Sequence, residues 1–425
     1  MRIRKASIRN IQAIKTLDWM PRKKAEVGWH VILGDNGSGK TSFLRALSLA
    51  LLGPEEALGA RQDWDSWICR NQVEGSISLE VVADSQDGAA TVADQHERKI
   101  DARVLLSRRK KRTRTVPMNG STKAPPFWRE KQRWFSASYG PFRRFSGGDK
   151  EAESVSRSSA RLGAHISIFG ENIALPESLF WLQDLRLKEY EERDKDPFLP
   201  KLKAFVNQPE FLPFGVKLKE VSSSGVFFED ASGLTVSVHE LSDGYRSILS
   251  MTFELLRQLT EFFPESEIFD GDLVTVGAPG VVMIDEVDAH LHPTWQKKIG
   301  FWLTEHFPNV QFLVTTHSPL ICQAAIRGSI FRLASPNTDE GSHMLNGTER
   351  DRLLYGDILE AYSTEAFGTA NTRSREAQQK QERLAELNIK ELDKGLNDQE
   401  KREQEGLRAI FATSPHTLRR SDSGS

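Results

Sequence analysis

The sequence contains little cysteine, has almost no net charge and has no long apolar run. Its two cysteines, Cys69 and Cys322, lie far apart among 425 residues and match no metal-ligand spacing. A disulfide framework is therefore not expected, and the count is typical of a protein from a reducing compartment. The net charge of −2 creates no field that would draw the whole chain to nucleic acid or to a membrane.

No stretch approaches the roughly 18 consecutive apolar residues that a membrane-spanning helix needs. The first ten residues, MRIRKASIRN, lack the apolar core of a signal peptide. We therefore expect a cytoplasmic protein without a membrane partner. With 38% hydrophobic residues, the chain can bury a large core. We expect one globular α/β domain with appendages.

A glycine-rich segment predicts a phosphate-binding loop. Residues 34–41 read GDNGSGKT, between a predicted buried strand at 27–33 and a predicted apolar-faced helix at 41–52. Glycines let backbone N–H groups point at phosphate oxygens, and a helix N-terminus adds partial positive charge. We expect Lys40 at the β- and γ-phosphates and the Thr41 hydroxyl on Mg²⁺. The candidate nucleotide-binding residues of this loop are Asn36, Gly37, Gly39, Lys40, Thr41 and Ser42.

An acidic pair follows a second apolar run. Residues 280–284 read GVVMI, as expected of a parallel strand that is buried on both faces, and Asp285 and Glu286 come next. Open α/β sheets place their ligands at the carboxyl ends of such strands. We expect Asp285 to hold Mg²⁺ and Glu286 to polarise an attacking water. An ordinary acidic loop is the alternative, and the phosphate-binding loop upstream disfavours it.

Two further motifs are less specific when each is taken alone. Residues 241–247, LSDGYRS, precede an amphipathic run, with Ser242 as a good N-cap and Gly244 permitting close backbone approach. This segment could be no more than a well-capped helix. Residues 310–316 predict a buried strand, and His317 follows it. A lone histidine is more often structural than catalytic.

In this order, the four motifs resemble those of ABC-class ATPases of the RecF, SMC-like and overcoming-lysogenisation-defect branch. The resemblance covers roughly residues 1–55 and 215–335. It implies that ATP and Mg²⁺ are the cofactors and that Glu286 and His317 are catalytic, with His317 contacting the γ-phosphate. In that family the LSxG signature covers the nucleotide of the opposite protomer. Ser242 and Gly244 would thus act across a homodimer or a higher even-numbered oligomer.

The run LHPTWQ at residues 291–296 is especially similar to small ATPases of the anti-phage systems Septu, retron and PARIS. There the ATPase is paired with a separate nuclease or toxin, which implies a nuclease-like effector partner here. The sequence departs from the family at His292, where an acid is usual, and at residues 135–141, which lack the expected glutamine. His290 and His292 could suggest a metal site, but no further ligand at metal spacing is evident.

The predicted fold is an α/β ABC-type ATPase head with a mixed, largely parallel central sheet. A short helical insertion separates its two lobes, and a polar helical extension follows them. The predicted domains are an N-terminal lobe at 1–150, a helical insertion at 151–215, a C-terminal lobe at 216–335, and an extension at 336–425 with helices at 372–389 and 397–411 and a disordered tail.

Nucleic acid is a possible partner on one observation. Residues 127–145 interleave aromatic and basic side chains, a pattern that can bind nucleic acid, although a partly buried strand is the preferred interpretation. Arg143 and Arg144 could alternatively face phosphates in a dimer. Three functions stay open: a slow regulatory ATPase of a defence complex, which we favour, a RecF-like repair ATPase that binds duplex DNA, and an ATP-bound scaffold with little turnover.

Overall fold

The computed structural model describes most of the chain as two compact units, Met1–Phe367 and Gly368–Ser425. No helix among the described residues is long and apolar enough to cross a membrane. The described residues are 1–22, 25–83, 98–108, 118–121, 123–128, 134–147, 159–170, 175–192, 197–209, 211–271, 275–336, 341–362, 364 and 375–411.

The described strands vary from two to ten residues and lie between residues 2 and 344. They are β1 Arg2–Ile11, β2 Ile14–Trp19, β3 Gly28–Leu33, β4 Glu74–Ala83, β5 Arg98–Ser107, β6 Met118–Asn119, β7 Phe135–Tyr139, β8 Lys217–Ser222, β9 Gly225–Glu229, β10 Thr235–Ser237, β11 Gly280–Ile284, β12 Val310–Thr315, β13 Gly328–Arg332 and β14 His343–Met344.

The helices vary from single turns to long rods. They are α1 Lys40–Leu52, α2 Pro54–Ala57, α3 Ala160–Phe169, α4 Glu177–Glu192, α5 Phe198–Val206, α6 Asp243–Phe262, α7 Pro293–His306, α8 Pro319–Cys322, α9 Gly347–Tyr355, α10 Ile358–Tyr362, α11 Arg375–Asp393 and α12 Asp398–Ile410.

The central sheet places three of the four motifs at the same end, where its parallel strands have their carboxyl termini. Its strand order is β14-β13-β3-β12-β11-β7, with β13, β3, β12, β11 and β7 parallel and β14 antiparallel. Since parallel strands share a direction, the segments after β3, β11 and β12 leave from the same end. These are the phosphate-binding loop (residues 34–41), the acidic pair (Asp285 and Glu286) and His317. The predicted α/β fold with a largely parallel sheet is confirmed.

Both faces of this sheet are buried, which explains the apolar runs in its strands. Alternate residues of β3 enter two different cores: Val31 and Leu33 contribute to one, and Ile32 contributes to the other. Helix α1 packs in the core of Ile32 through side chains such as Leu47. Helices α6 and α7 pack in the opposite core. The phosphate-binding loop thus leaves a strand that is held on both sides.

A second, antiparallel sheet has the order β2-β1-β4-β5-β6, and a third has the order β10-β9-β8. The Gln311 side chain joins the second sheet to β12, since it accepts from the Ile3 amide (2.7 Å) and donates to the Ile3 carbonyl (2.8 Å). The turn of the β1–β2 hairpin lies against the phosphate-binding loop, where a Cβ at Gly39 would be 3.0 Å from Ile14. The β1–β2 hairpin therefore borders the site.

The mixed aromatic and basic segment is largely core. Phe127, Trp134, Phe135 and Tyr139 are buried, so their rings are not a stacking surface for bases. Residues 129–133, which carry several of its basic side chains, and most of the basic run at 107–115 lie outside the described residues. The described part thus favours the buried-strand interpretation.

The second unit contains a pair of helices. Salt bridges link α11 to α12 at Arg383–Glu403 (3.0 Å) and Lys390–Glu400 (2.5 Å), a pairing that runs the helices antiparallel. Asn397 caps α12 in a capping box with Glu400, as the sequence predicts. The two predicted helices are observed as Arg375–Asp393 and Asp398–Ile410, whereas residues 372–374 and the predicted disordered tail lie outside the described residues. The domain boundaries at 150, 215 and 335 stay predictions.

Candidate functional site

The phosphate-binding loop joins β3 to α1 in the predicted strand–loop–helix arrangement. Gly37 and Gly39 have φ angles of 81° and 97°, the left-handed region that favours glycine. Gly34 has no room for a side chain, because a Cβ there would lie 2.3 Å from the Ser38 hydroxyl. That hydroxyl is buried and has no hydrogen-bond partner among the described atoms. The loop therefore presents backbone amides and one unpaired hydroxyl, as a phosphate cradle requires.

Lys40 lies within the curve of the loop. Its Nζ donates to the carbonyl oxygens of Gly34 (2.8 Å) and Asp35 (3.0 Å). Burial lowers the pKa of Lys40, and the carboxylates of Asp285 and Glu286 oppose that shift. The ammonium thus stands between the loop and the acidic pair, which is where the charge of a terminal phosphate would be neutralised.

Two threonines hold Asp285 by both carboxylate oxygens. Thr41 Oγ1 donates to Asp285 Oδ2 (2.7 Å), and Thr315 Oγ1 donates to Asp285 Oδ1 (2.5 Å). Asp285 is only 1% exposed. The first of these contacts joins segments that are 244 residues apart, so the structure brings the predicted metal residues together. A hydroxyl and a carboxylate are hard oxygen donors of the kind that Mg²⁺ takes, and the pair fits that ion.

Glu286 follows in an unusual backbone conformation. Its φ of 45° is left-handed, which costs a non-glycine residue about 1–2 kcal/mol. The Glu286 amide donates to Thr315 Oγ1 (2.7 Å), and its carboxylate is half-buried beside Asp285. Strain of this kind persists where surrounding contacts over-determine it, and it clusters at functional sites. The backbone of Glu286 is therefore fixed directly after Asp285.

Arg143 does not take the phosphate-facing role that the sequence analysis gave it as an alternative. Its guanidinium is buried and donates to the carbonyls of Asp285 (2.7 Å) and Glu286 (2.9 Å), so it does not face an external phosphate. Burial lowers the pKa of Arg143 to about 10, and nearby carboxylates, first that of Asp285, oppose the shift. Arg144 is exposed and lies over the Phe142 ring. The pairing of β7 with β11 brings the loop that carries Arg143 beside Asp285 and Glu286, and the sequence alone does not show this pairing.

The signature segment, residues 241–247, leads into α6. Ser242 occupies the N-cap position, but its side chain makes no capping hydrogen bond and is exposed. The hydrogen bond that a simple capped helix would require from the Ser242 side chain is therefore not formed. Gly244 lies against the loop before α7, because a Cβ there would be 3.0 Å from the His290 carbonyl. Among the described residues, no hydrogen bond joins Ser242 or Gly244 to the phosphate-binding loop of the same chain.

His317 is exposed at the end of β12. The backbone on either side of it is anchored, since Thr316 Oγ1 donates to Asp288 Oδ1 (2.5 Å) and Ser318 Oγ donates to Gln296 Oε1 (2.7 Å). Both anchors lie in the segment that follows the acidic pair. The imidazole therefore stands free beside a backbone that is coupled to Asp285 and Glu286.

The two nearby histidines have other surroundings. His292 is the N-cap of α7, and its Nδ1 accepts from the Thr294 amide (3.3 Å). His290 has a left-handed φ of 65°. Within the part of the chain that the structure describes, no group of three or more histidine, cysteine, aspartate or glutamate side chains is arranged to hold a metal ion. His292 replaces the family's usual acid and caps a helix.

The predicted site residues fall into two places. Asn36, Gly37, Gly39, Lys40, Thr41 and Ser42 lie in the loop and the first turn of α1, with Asp285, Glu286 and His317 after the neighbouring strands. Ser242 and Gly244 lie at the start of α6. The sequence analysis did not identify Ser38, Thr315 or Arg143. The TT before His317 was a signal for Thr315, but its contact with Asp285 depends on strand order.

Comparison with known proteins places this site in a family. The family model "AAA domain, putative AbiEii toxin, Type IV TA system" matches residues 30–323. The chain is 37% identical over 123 residues to the "Retron Ec83 probable ATPase" of Escherichia coli, covering 29% of this chain and 22% of that protein. It is 24% identical over 333 residues to the "Septu protein PtuA" of Bacillus mycoides, covering 77% of this chain and 40% of that protein.

These matches span well under half the length of either relative. The SMC head domain from Thermotoga maritima aligns with a TM-score of 0.42 and 14% identity, over 82% of this chain and 99% of that one. The predicted resemblance to the ATPases of Septu and retron systems is confirmed by the two relatives. Since the family match covers more than half of the sequence, from β3 through the acidic pair to α8, the chain belongs to the AAA-domain family of the AbiEii type.

Proposed function

We propose that the chain binds ATP with Mg²⁺ and hydrolyses it at a composite site between two copies. The observation that carries this proposal is the 2.7 Å hydrogen bond between Thr41 Oγ1 and Asp285 Oδ2. It sets a loop suited to phosphate beside a buried carboxylate suited to a metal. Of the functions considered, nucleotide hydrolysis uses this pair most fully.

Each residue then has a role set by its position. Asn36, Gly37, Gly39 and Ser42 line the phosphates through the loop and the start of α1. Lys40 neutralises phosphate charge, whereas Thr41 and Asp285 hold the metal. Glu286 orients the attacking water, and the exposed His317 contacts the γ-phosphate. When bound, Mg²⁺ would be held by Thr41 and Asp285 and would stabilise the negative charge of the phosphate groups.

The second half of the site comes from another copy. Ser242 and Gly244 lie at the N-terminus of α6, a helix of 20 residues. The Ser242 side chain is exposed and makes no capping hydrogen bond, and Gly244 packs against the loop before α7. Such a terminus attracts a terminal phosphate, because its free amides and dipole favour negative charge. In a homodimer or a higher even-numbered oligomer, Ser242 and Gly244 would cover the nucleotide of the facing copy.

The biological role we propose is that of a sensor and regulator in an anti-phage complex. The support is the likeness to a Septu protein and to a retron ATPase, at 24% and 37% identity. The chain would act with a separate, nuclease-like effector, and its nucleotide state would control that effector. Slow turnover suits a switch, because the bound state must persist long enough to be read. Its compartment would be the cytoplasm.

Phosphate release from ATP by the full chain tests the activity. Glu286→Gln should keep ATP bound while lowering kcat by about 10²- to 10⁴-fold, because the water loses its base. Lys40→Ala should weaken ATP binding itself. Glu305→Gln, which changes an exposed carboxylate of α7, is the control for loss of charge and should match the wild type.

The same assay separates the alternatives. If the wild type turns over ATP no faster than Glu286→Gln while binding it tightly, the chain is a nucleotide-bound scaffold. A repair ATPase that binds duplex DNA would instead show DNA binding that weakens steeply with added salt. The burial of Phe127, Trp134 and Tyr139 removes one surface on which that alternative was based.

A further inference from the structure

Arg143 connects three segments that are distant in sequence. It lies in the loop after β7 and is 4% exposed. Its Nη1 donates to the carbonyls of Gly140 (3.0 Å) and Asp285 (2.7 Å), and its Nη2 donates to the carbonyl of Glu286 (2.9 Å). Its Nε donates to Ser247 Oγ (3.2 Å). A guanidinium offers five N–H donors in a planar fork, and four hydrogen bonds here use that geometry.

The two carbonyls that Arg143 binds belong to the acidic pair. Thr315 holds the same pair from the other side, through the Glu286 amide and one Asp285 carboxylate oxygen. Between these contacts the chain takes the left-handed turn at Glu286, with a φ of 45°. A turn of this kind relaxes when its supports are removed. Arg143 therefore helps to set the direction in which the Glu286 carboxylate points.

The charge of Arg143 also matters locally. The carboxyl groups of Asp285, Asp288 and Glu286 favour the charged form of Arg143, and the same three groups favour that of Lys40. Arg143 and Lys40 thus both contribute positive charge near this acidic group. A lysine could keep the charge at position 143, but three N–H donors on one nitrogen could not reproduce the planar spread of four hydrogen bonds to three carbonyls and a hydroxyl.

The fourth contact reaches the signature helix. Ser247 is 2% exposed and lies near the N-terminus of α6, five residues after Ser242. Because α6 is a continuous helix, a displacement of Ser242 carries Ser247 with it. The 3.2 Å bond to Arg143 Nε is then stretched or shortened, and the other arm of the same rigid guanidinium moves against the Glu286 carbonyl.

We propose that Arg143 is a positioning residue that couples the signature helix to the acidic pair of the same chain. When the signature of one copy engages the nucleotide of a facing copy, Ser247 and Arg143 bring Glu286 of the engaging copy into its hydrolytic orientation. The two sites of a dimer would then hydrolyse ATP together. This inference rests on the proposed ATP hydrolysis, and Arg143 itself touches no nucleotide.

The test is a comparison of full-length variants by phosphate release and ATP binding. Arg143→Lys should lower kcat by about 10- to 100-fold, the scale expected when a reacting group is misplaced, with KM for ATP within about threefold. Ser247→Ala removes only the acceptor and should lower kcat by about 3- to 10-fold. Arg144→Lys changes the adjacent exposed arginine and should keep the wild-type kcat.

A double-mutant cycle distinguishes coupling from local destabilisation. If Arg143 acts through Ser247, Ser247→Ala should have no further effect in the Arg143→Lys background, whereas independent effects would add. Additive losses, or a Ser247→Ala kcat within about twofold of the wild type, would overturn the coupling. Ser247→Ala is decisive alone if Arg143→Lys does not fold, because this small substitution keeps Arg143 and its three hydrogen bonds to carbonyls.

Hydrogen exchange tests the link through Arg143 without requiring ATP hydrolysis, so that a failure of the link can be distinguished from a failure of the proposed activity. Hydrogen exchange of peptides covering residues 284–290 should be faster in Arg143→Lys and in Ser247→Ala, and unchanged in Arg144→Lys. If the wild type releases no phosphate yet exchange follows this pattern, hydrolysis is wrong and the structural link is right. If the wild type is active and exchange is the same in all variants, the link is wrong.

Discussion

Asp285 depends on two hydroxyl groups for its position, and the sequence pattern identified only one of them, that of Thr41. Thr41 is in the phosphate-binding loop, whereas Thr315 is the last residue of β12. Thr315 also accepts from the Glu286 amide, so one hydroxyl serves both acids. Its removal would leave a buried carboxylate oxygen and a buried amide each without a partner.

Replacing Thr315 with valine, which has the same shape, tests this arrangement. We expect Thr315→Val to lower the free energy of unfolding by about 1–3 kcal/mol, the cost of an unsatisfied buried polar group, and to lower kcat for ATP about tenfold. Urea unfolding and phosphate release measure the two effects. Thr304→Val, which removes a hydroxyl bonded only to backbone carbonyls of α7, is the control. Equal kcat in both variants would contradict the role of Thr315.

A buried histidine on the other side of β7 should make stability depend on pH. The His165 ring bonds to Ser136 and Ser138, both at 2.8 Å, and burial lowers its pKa from 6.5 to about 3. The unfolded chain therefore takes up a proton below pH 6.5 that the folded chain does not. Stability from this group is complete above pH 6.5 and falls as the pH drops towards 3.

The loss should be about 1.4 kcal/mol per pH unit for His165, or about 2 kcal/mol at pH 5. Burial lowers the pKa of His30 to about 4, so His30 adds to the slope in the same direction. Chemical unfolding between pH 7 and 5 measures it. His165→Gln should reduce the slope by about one proton, and the exposed His239→Gln should not. A slope unchanged in His165→Gln would disprove this assignment.

At the scale of elements, the sequence predicts best where a single physical requirement dominates. The strand at 280–284 is observed with the same bounds because only a doubly buried strand needs five apolar residues in succession. The phosphate-binding loop was equally predictable, because its glycine spacing is typical of one backbone conformation, the loop between a strand and a helix. The antiparallel pairing of β1, β4 and β5 and the place of β7 beside β11 were not, because strand order depends on contacts distant in sequence.

The pairing of β13 with β3 gives an element-scale prediction. Gly328 pairs with Trp29 in the parallel register and has a φ of 151°. A Cβ there would lie 1.9 Å from the Trp29 carbonyl oxygen, so backbone would have to move. We expect Gly328→Ala to lower the free energy of unfolding by about 3 kcal/mol or more. Gly341→Ala, where a Cβ would meet no heavy atom within 4 Å, should be nearly neutral in the same unfolding measurement.

At the scale of the whole molecule, one chain brings together only part of the proposed nucleotide site. The phosphate-binding loop, the acidic pair and His317 come together, whereas the signature segment makes no hydrogen bond to that loop among the described residues. The sequence analysis expected this division only through the family resemblance, because the residues of each motif are by themselves compatible with a role in the same chain. A second copy is the simplest source of the missing half.

Mass measurement of the full chain with and without ATP and Mg²⁺ checks that inference. In the Glu286→Gln background, which should retain ATP, we expect the mass to double when nucleotide is added. Ser242→Arg should abolish the increase, because the bulky side chain would occupy the space of the facing phosphate and its positive charge is unfavourable at the N-terminus of α6. Ser223→Arg, at an exposed turn between β8 and β9, adds the same charge and should still allow doubling. If Ser242→Arg dimerises like Ser223→Arg, the signature segment does not face a second nucleotide, and ATP must be enclosed within one chain.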